Sequence, residues 1–296
     1  MNFNHLHIFQ KVAEKEHFTR AAEELFISQP AVSKQIHELE RALQQPLFTR
    51  VGQKVHLTEA GKLLYEYSKR IFALSDEAEQ ALMDMNDLLR GRLAVGASTT
   101  IGTYLLPELL GEYKSRYPHI ELSVWIANTE EVQDAVRSRR LELGIVEGEI
   151  ISTDLDHFDW LPDELVFIAP NSCPLPEQRA MTVRDVLDLP LSLIMREKGS
   201  GTREVLERAF IEHGMEPPMP IMELGSTEAI KRAVRANLGW SFVSKNTIQL
   251  EVKAGLLRTV PIADFRVLRM LSIISPKEKR ISKAAQAFLS LISHNV

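Results

Sequence analysis

Three runs of short polar side chains, each at the start of a candidate helix, are where this chain is best equipped for chemistry. Gln29, Ser33 and Lys34 lie in the first two turns of a helix opened by Ser28, with Pro30 placed where a missing N–H costs nothing. Only the N-terminal end of such a helix fits deeply into a DNA major groove. There Gln pairs with adenine, Lys with guanine, and Pro30 and Ala31 offer apolar contact to a thymine methyl. Thr19, Arg50 and Lys54 suit phosphate contacts, which position a helix without reading sequence. The second run, Ser98-Thr99-Thr100, follows a strand and precedes a helix, so hydroxyls and free backbone N–H groups converge on a place for a small anion. Gly199-Ser200-Gly201-Thr202-Arg203 repeats that arrangement, its glycines turning N–H groups inward and its Arg203 able to form two parallel bonds to an oxyanion.

Other chemistries find less support. The Gly199 run lacks the Gly-Lys-Ser/Thr ending with which a P-loop grips terminal phosphates and magnesium. His5 and His7, two apart on a helix, point to different faces, so no metal pair is expected. Cys173 has no activating partner in Asn-Ser-Cys-Pro-Leu-Pro. Glu147, at a strand end, either accepts a hydrogen bond from a ligand or balances Arg196, which in turn either joins the anion site or pairs with Glu197 or Glu147. Asn128-Thr129 and Ser226-Thr227 read as plain helix caps. No acid, base or nucleophile constellation accompanies the hydroxyls and arginines, so the reading is of a binding protein without cofactor or metal rather than an enzyme.

The elements that must carry these residues follow from periodicity. Leu6, Phe9, Val12 and Ala13 recur at helical spacing; Thr19 can cap a second helix with Ala21, Ala22, Leu25 and Phe26 on its apolar face; Val32, Ile36, Leu39 and Leu43 supply the stripe of a third. Leu47-Phe48 and Val55-His56-Leu57 read as two short strands about a basic turn at Gly52, which makes residues 1–58 a helix-turn-helix with a wing. Thr58, Ala60 and Gly61 open a long helix over 59–90. Along it Leu64, Tyr67, Ile71, Leu74, Ala78, Ala81, Met85 and Leu88 follow at alternating steps of three and four, the narrow seam of a coiled-coil dimer. From Arg92 strands alternate with helices: strands over 93–97, 120–126, 143–146, 165–169, 191–195, 219–224, 241–243 and 268–274, and helices over 104–116, 130–139, 203–213, 227–237 and 281–292. That strand count suits two small α/β lobes, lobe I over 91–162 and 267–296 and lobe II over 163–266.

Charge sets the same boundaries. The chain of 296 residues has a net charge of -5, which excludes a general polyanion binder, yet residues 1–70 hold 10 Lys/Arg against 8 Glu and no Asp. Beyond Ile71 the balance reverses: Asp76, Glu77, Glu79, Asp84 and Asp87 face Arg90 alone, placing a domain boundary near Gly91. No apolar run is long enough to span a membrane, and the N-terminus carries charges where a signal peptide would be apolar, so a cytoplasmic chain is expected.

Phe18-Thr19-Arg20-Ala21-Ala22 through Leu25, Ser28-Gln29-Pro30-Ala31-Val32-Ser33, Gln35-Ile36, Leu39-Glu40, Leu47-Phe48, Arg50 and Leu57-Thr58-Glu59-Ala60-Gly61 together resemble the LysR-type transcriptional regulators. The likeness departs from the family at Gln44, where a Gly usually follows the recognition helix, and at Gln53 and His56, where the wing commonly has Arg. It implies double-stranded operator DNA as a partner, a homodimer through the linker helix and a homotetramer on DNA, and RNA polymerase as a further candidate partner. It also implies an effector domain built like a periplasmic solute-binding protein. Gly96–Gly102, Asn128-Thr129-Glu130, Gly144–Gly148, Arg196–Arg203 and Glu223–Lys231 are similar to the subgroup regulating sulfur assimilation or carbon dioxide fixation. Small-anion effectors are therefore expected, bound by Ser98, Thr99, Thr100, Glu147, Arg196, Ser200, Thr202 and Arg203, with a sulfur-assimilation signal preferred over a carbon-fixation intermediate. The rival classes are an enzyme with an appended winged helix and a freestanding solute receptor.

Overall fold

A computed structural model describes residues 2–51, 54–83, 91–150, 152–175, 180–277 and 281–294. The chain divides into two compact units, Met1–Glu79 and Gln80–Val296 with residues 138–140 excepted.

The first unit is a winged helix. Helices α1 (Phe3–Lys15), α2 (Phe18–Glu24) and α3 (Gln29–Leu43) pack Leu6, Phe9, Val12, Ala21, Val32, Ile36 and Leu39 into one core. Strands β1 (Phe48–Val51) and β2 (Lys54–Leu57) pair antiparallel as the wing. Glu40 ties wing to helix by accepting from the Leu47 backbone N–H at 2.8 Å. The second helix begins two residues earlier than Thr19 as its cap would set it: His17 is its cap, the ring accepting from Thr19 N–H, so Thr19 lies in the first turn with its side chain exposed. Ser28 occupies the cap position of α3 without a side-chain bond.

Helix α4 (Glu59–Met83) is opened by Thr58, whose hydroxyl accepts from Gly61 N–H and donates to the Pro46 carbonyl. A side chain at Gly61 would place its Cβ 2.1 Å from the Leu47 carbonyl oxygen, so only glycine lets α4 pass this close to the wing. The anticipated seam splits. Leu64 and Ile71 are partly buried against the winged-helix core, with Tyr65 and Phe72, whereas Tyr67 and Leu74 are exposed together with Leu63 and Leu82. Ala78 is exposed as well; Ala81 is described by its backbone alone, and Met85 and Leu88 lie outside the described residues.

The second unit holds β3 (Gly91–Ser98), α5 (Thr99–Tyr104), α6 (Leu106–Arg116), β4 (Ile120–Ala127), α7 (Thr129–Arg137), β5 (Leu143–Glu147), β6 (Leu155–Pro170), α8 (Val183–Leu187), β7 (Ile194–Arg196), α9 (Gly201–Glu212), β8 (Met222–Leu224), α10 (Thr227–Arg235), β9 (Ser241–Ser244), α11 (Gln249–Lys253), β10 (Leu257–Arg258), β11 (Val267–Pro276) and α12 (Lys283–His294). The helix expected over 104–116 is two helices broken at Leu105, and the strand expected over 165–169 is the second half of β6. Strands run in the order β10-β6-β11-β5-β3-β4, with β9 also on β6. Two cores result, one around Leu93, Ile145, Leu271, Ile273 and Phe288, the other around Phe167, Phe210, Trp240, Phe242 and Val267. Both long strands, β6 and β11, pass from one core to the other. Asp163 and Arg269 are direct cross-strand neighbours at the crossing.

Two residues beside α3 adopt left-handed backbone although neither is glycine: Phe26 (φ 55°) before it and Gln44 (φ 53°) after it. A side chain there costs roughly 1 kcal/mol relative to glycine. Gln44→Gly should therefore stabilise α3 by about 1 kcal/mol, slowing exchange of its protected amides roughly fivefold, while Gln44→Ala leaves them unchanged. Equal exchange in wild type and Gln44→Gly would remove the strain argument.

Candidate functional site

Two clusters of polar side chains stand out, one per unit. In the first unit Gln29 donates from Nε2 to Ser33 Oγ at 2.7 Å, so two of the expected base-reading groups are pre-aligned one helical turn apart. Both are half-buried, whereas Pro30 and Lys34 are exposed and Ala31 is intermediate. Lys34 Nζ sits 4.0 Å from Glu38 with its side chain 77% exposed, an ion pair too loose and too wet to hold it. Arg50 and Lys54 are paired opposite their neighbours in the wing ladder and described by their backbone alone; Gly52 and Gln53 lie outside the described residues. His5 and His7 part company as their spacing requires, the first near Glu38 and the second edge-on to Phe72.

In the second unit the Ser98 and Gly199 loops meet around Glu147, a candidate from the sequence, together with Arg269 and Asp163, which the sequence did not single out. Glu147, buried at the end of β5, accepts from Ser98 Oγ and, at 3.4 Å, from Thr202 Oγ1. Its partner cation is Arg269, whose Nη1 lies 3.8 Å from Glu147 and donates to Thr202 Oγ1 at 2.9 Å. Arg269 also donates from Nε to Asp163 at 2.7 Å, and Asp163 further accepts from Ser244 Oγ at 2.7 Å and Asn246 Nδ2 at 3.1 Å. Glu147 is thus balanced by Arg269 and not by Arg196. Alternation along β11 carries the missed signal: Arg269 shares the inward side with Val267 and Leu271, while Leu268 and Met270 face out.

Arg196 is buried and grips Glu197 through two bonds of 2.8 Å, with Nη1 3.5 Å from Thr227 Oγ1. Thr227 Oγ1 is in turn 3.2 Å from Thr100 Oγ1, so a chain of donors links the Ser98 loop to β7. Asn128 and Ser226 are the caps they were expected to be, but Thr129 and Thr227 are the first helical residues and turn inward, Thr129 donating to the Glu147 carbonyl at 2.9 Å. Gly201 lets α9 start against that same carbonyl, since a Cβ there would come within 1.8 Å of its oxygen. Thr99 Oγ1 and Ser200 Oγ are buried hydroxyls with no hydrogen-bond partner.

Arg203 does not join this cluster. Its guanidinium donates to Glu207 and to Glu223, each at 2.7 Å, and to the Arg196 carbonyl at 3.2 Å, because its place in the first turn of α9 aims it along the helix surface. It lines instead a cavity of about 820 Å³ with Thr129, Glu130, Lys198, Ser200 and Glu204. Carboxylates outnumber cations on that rim, and burial raises the Glu204 carboxyl above its usual range. A second bridge closes the lobes nearby: Tyr104 donates to Glu228 at 3.0 Å, and the buried Lys231 ammonium sits 3.1 Å from Glu228 and 4.8 Å from the Tyr104 ring centre. Arg232, then Lys231 and Tyr104, hold the Glu228 carboxyl down to about 2.

Among the described residues no helix is long and apolar enough to cross a membrane. Residues 3–62 match the family model described as bacterial regulatory helix-turn-helix protein, lysR family, and residues 86–296 match the LysR substrate binding domain. A relative from Trieres chinensis, named probable RuBisCO transcriptional regulator, is 38% identical over 96% of this chain and 93% of its own length. One of the same name from Synechocystis is 36% identical over 96% of this chain and 83% of its own. The regulatory domain of Synechocystis CcmR, solved in complex with 2-PG, is 32% identical with a TM-score of 0.64, covering 70% of this chain and 97% of that one. CbnR, a LysR family transcriptional regulator, shares the fold at a TM-score of 0.72 and 22% identity over 99% of both chains. The family match over both units and the extent of these likenesses make the chain a member of the LysR-type transcriptional regulators, a DNA-binding regulator under small-effector control and not an enzyme.

Proposed function

We propose that this regulator governs carbon-fixation genes and answers to a small phosphorylated acid held between the lobes of its effector domain. The observation that carries the reading is the pair of buried hydroxyls without partners, Thr99 on the first-lobe loop and Ser200 on the second. Each costs roughly 1 to 3 kcal/mol while unsatisfied, and an oxyanion seated beside Thr100, Thr227 and Arg196 would accept from both. Relatives named RuBisCO transcriptional regulators, and a related regulatory domain in complex with 2-PG, favour the carbon-fixation alternative over the sulfur signal. Closure around the ligand would alter how paired winged helices sit on their half-sites, and the linkage is reciprocal. A DNA partner makes the cytoplasm its place of work. Calorimetry with 2-phosphoglycolate, 2-phosphoglycerate, sulfate, thiosulfate and acetylserine tests the class. A phosphorylated acid should bind tightest, and Thr100→Val should weaken it by about 1.5 to 3 kcal/mol while DNA binding without ligand is retained. Preference for acetylserine or sulfate would return the sulfur reading.

The DNA interface is Gln29, Ser33 and Lys34 reading bases, Pro30 and Ala31 against a thymine methyl, and Thr19, Arg50 and Lys54 on phosphates. Binding titrations against salt on specific and random duplexes separate these roles. Gln29→Ala should cost roughly 1 to 3 kcal/mol on the specific site alone, and Lys54→Ala should weaken all sequences and lower the salt slope by about one. Equal loss on both duplexes for Gln29→Ala contradicts base reading.

Dimerisation is assigned to the exposed stripe Leu63, Tyr67, Leu74, Ala78 and Leu82 of α4, with assembly to a tetramer on DNA. Asp at both Tyr67 and Leu74 should place charge in a buried helix interface and give a monomer on sedimentation with helix content retained. Ile71 is a poor probe, since it packs on the winged-helix core. An unchanged oligomer rules the stripe out.

A further inference from the structure

Phe26 is 95% exposed, the most exposed of the large apolar side chains described. It occupies the turn between α2 and α3, where Phe26 N–H donates to Glu23 O at 3.2 Å and Ile27 N–H to Ala22 O at 3.1 Å, a helix ending that calls for glycine or asparagine at the Phe26 position. A lone exposed apolar side chain needs no explanation. Here two penalties coincide on one residue, a ring in water and a left-handed backbone at φ 55°, and among the described residues no ring contact offsets either. Glycine would remove both. Ile27, next in the chain, is 39% exposed, Ser28 caps α3 and Gln29 begins it, so the ring stands three residues before the end of α3 that enters the groove.

We propose that Phe26 is a DNA-contacting residue whose ring packs on the apolar surface of the duplex, a deoxyribose face or a thymine methyl at the groove edge beside Gln29 and Pro30. The proposal rests on the reading of α3 as the recognition helix. Continuity with that interface selects DNA as the occupant: once α3 docks, the turn before it is brought against the same strand, and an uncharged ring there adds contact without a phosphate pair. It would supplement the polar code of Gln29 and Ser33 with a contact blind to salt.

The test uses the full chain and a duplex selected by the wild-type protein from a random pool, with Phe26→Ala, Phe26→Gly, Phe26→Tyr and Gln29→Ala as variants. Phe26→Ala and Phe26→Gly should each bind roughly tenfold more weakly with an unchanged salt slope, and Phe26→Tyr should bind nearly as wild type. Phe26→Gly should keep or raise the melting temperature, so its weaker binding cannot be a folding defect. Replacing thymines by deoxyuridine one at a time locates the contact: a wild-type loss at one position that is absent from Phe26→Ala marks a methyl, and no such position marks the sugar. Wild-type affinity of both Phe26→Ala and Phe26→Gly overturns the proposal. A change of oligomer in sedimentation with DNA affinity intact also overturns it, by giving the ring to a second copy. If Gln29→Ala binds like wild type as well, it is the recognition-helix reading that has failed, whereas a Gln29→Ala defect alone isolates the failure to Phe26.

Discussion

Arg269 is a cation taken out of water between two carboxylates at the place where both cores of the effector domain end. Removing either partner of such a buried pair would cost about 3 to 5 kcal/mol, because the charge left behind has neither water nor counter-ion. The carboxylates around Arg269 take further donors, Ser98 and Thr202 on Glu147 and Ser244 and Asn246 on Asp163. Its arms are unequal. Asp163 lies on the adjacent strand at 2.7 Å and belongs to the same ladder as Arg269, whereas Glu147 ends a different strand and stands 3.8 Å away. Glu147 is also the group that Ser98 and Thr202 contact from opposite lobes. A change in lobe spacing therefore acts first on the longer arm, leaving the Asp163 pair as the fixed point.

That constraint reshapes the view of the anion site. Hydroxyls on the Ser98 and Gly199 loops are helix-start donors, as their spacing implied, but Ser98 and Thr202 are already spent on an internal anion, the Glu147 carboxylate. The donors left for a ligand are Thr99, Ser200 and the Thr100–Thr227–Arg196 chain. Glu147 would repel an oxyanion placed too near it, so it limits where the anion sits as much as the donors invite it. A ligand must also part Thr100 from Thr227, which are 3.2 Å apart and both buried.

Local physics was legible in the sequence and distant pairing was not. The winged helix could be read because Val32, Ile36 and Leu39 repeat at helical spacing and Pro30 and Thr58 mark helix starts, signals contained within a few residues. Gln44 was visible as a departure, and its left-handed backbone gives the reason a glycine is usual there. By contrast, the periodicity of α4 counted apolar residues without telling which face the core already uses, so Leu64 and Ile71 were grouped with Tyr67 and Leu74. Arg203 reads from its loop as an anion-binding arginine, yet Glu207 and Glu223 hold it, and of the alternatives open to Arg196 the structure shows the pair with Glu197. Arg269 and Asp163 escaped because they are 106 residues apart in sequence and meet only through strand pairing. The first half of β6 escaped too, its Asp156, His157 and Asp159 breaking the apolar run a strand was expected to show.

Left-handed backbone at a non-glycine residue occurs in both units, at Asn237 in the effector domain as well as beside α3. In the effector domain the buried side-chain atoms without hydrogen-bond partners include, beside Trp160 Nε1 and Arg269 Nη2, the Thr99 and Ser200 hydroxyls, groups that a polar ligand can satisfy. In the winged helix Glu16, Phe26 and Gln44 have left-handed backbone, and the last two bracket α3, each holding a conformation that glycine would adopt freely. At Gln44 the cost is conformational, since a polar side chain is at ease in water. At Phe26 it is conformational and hydrophobic together, and the second part is relieved only when something covers the ring. A residue that makes the free protein less stable in two ways at the mouth of its recognition helix is one whose surroundings are completed by what the helix binds. Binding free energy is then drawn from the same disadvantage that marks the residue in the unbound chain.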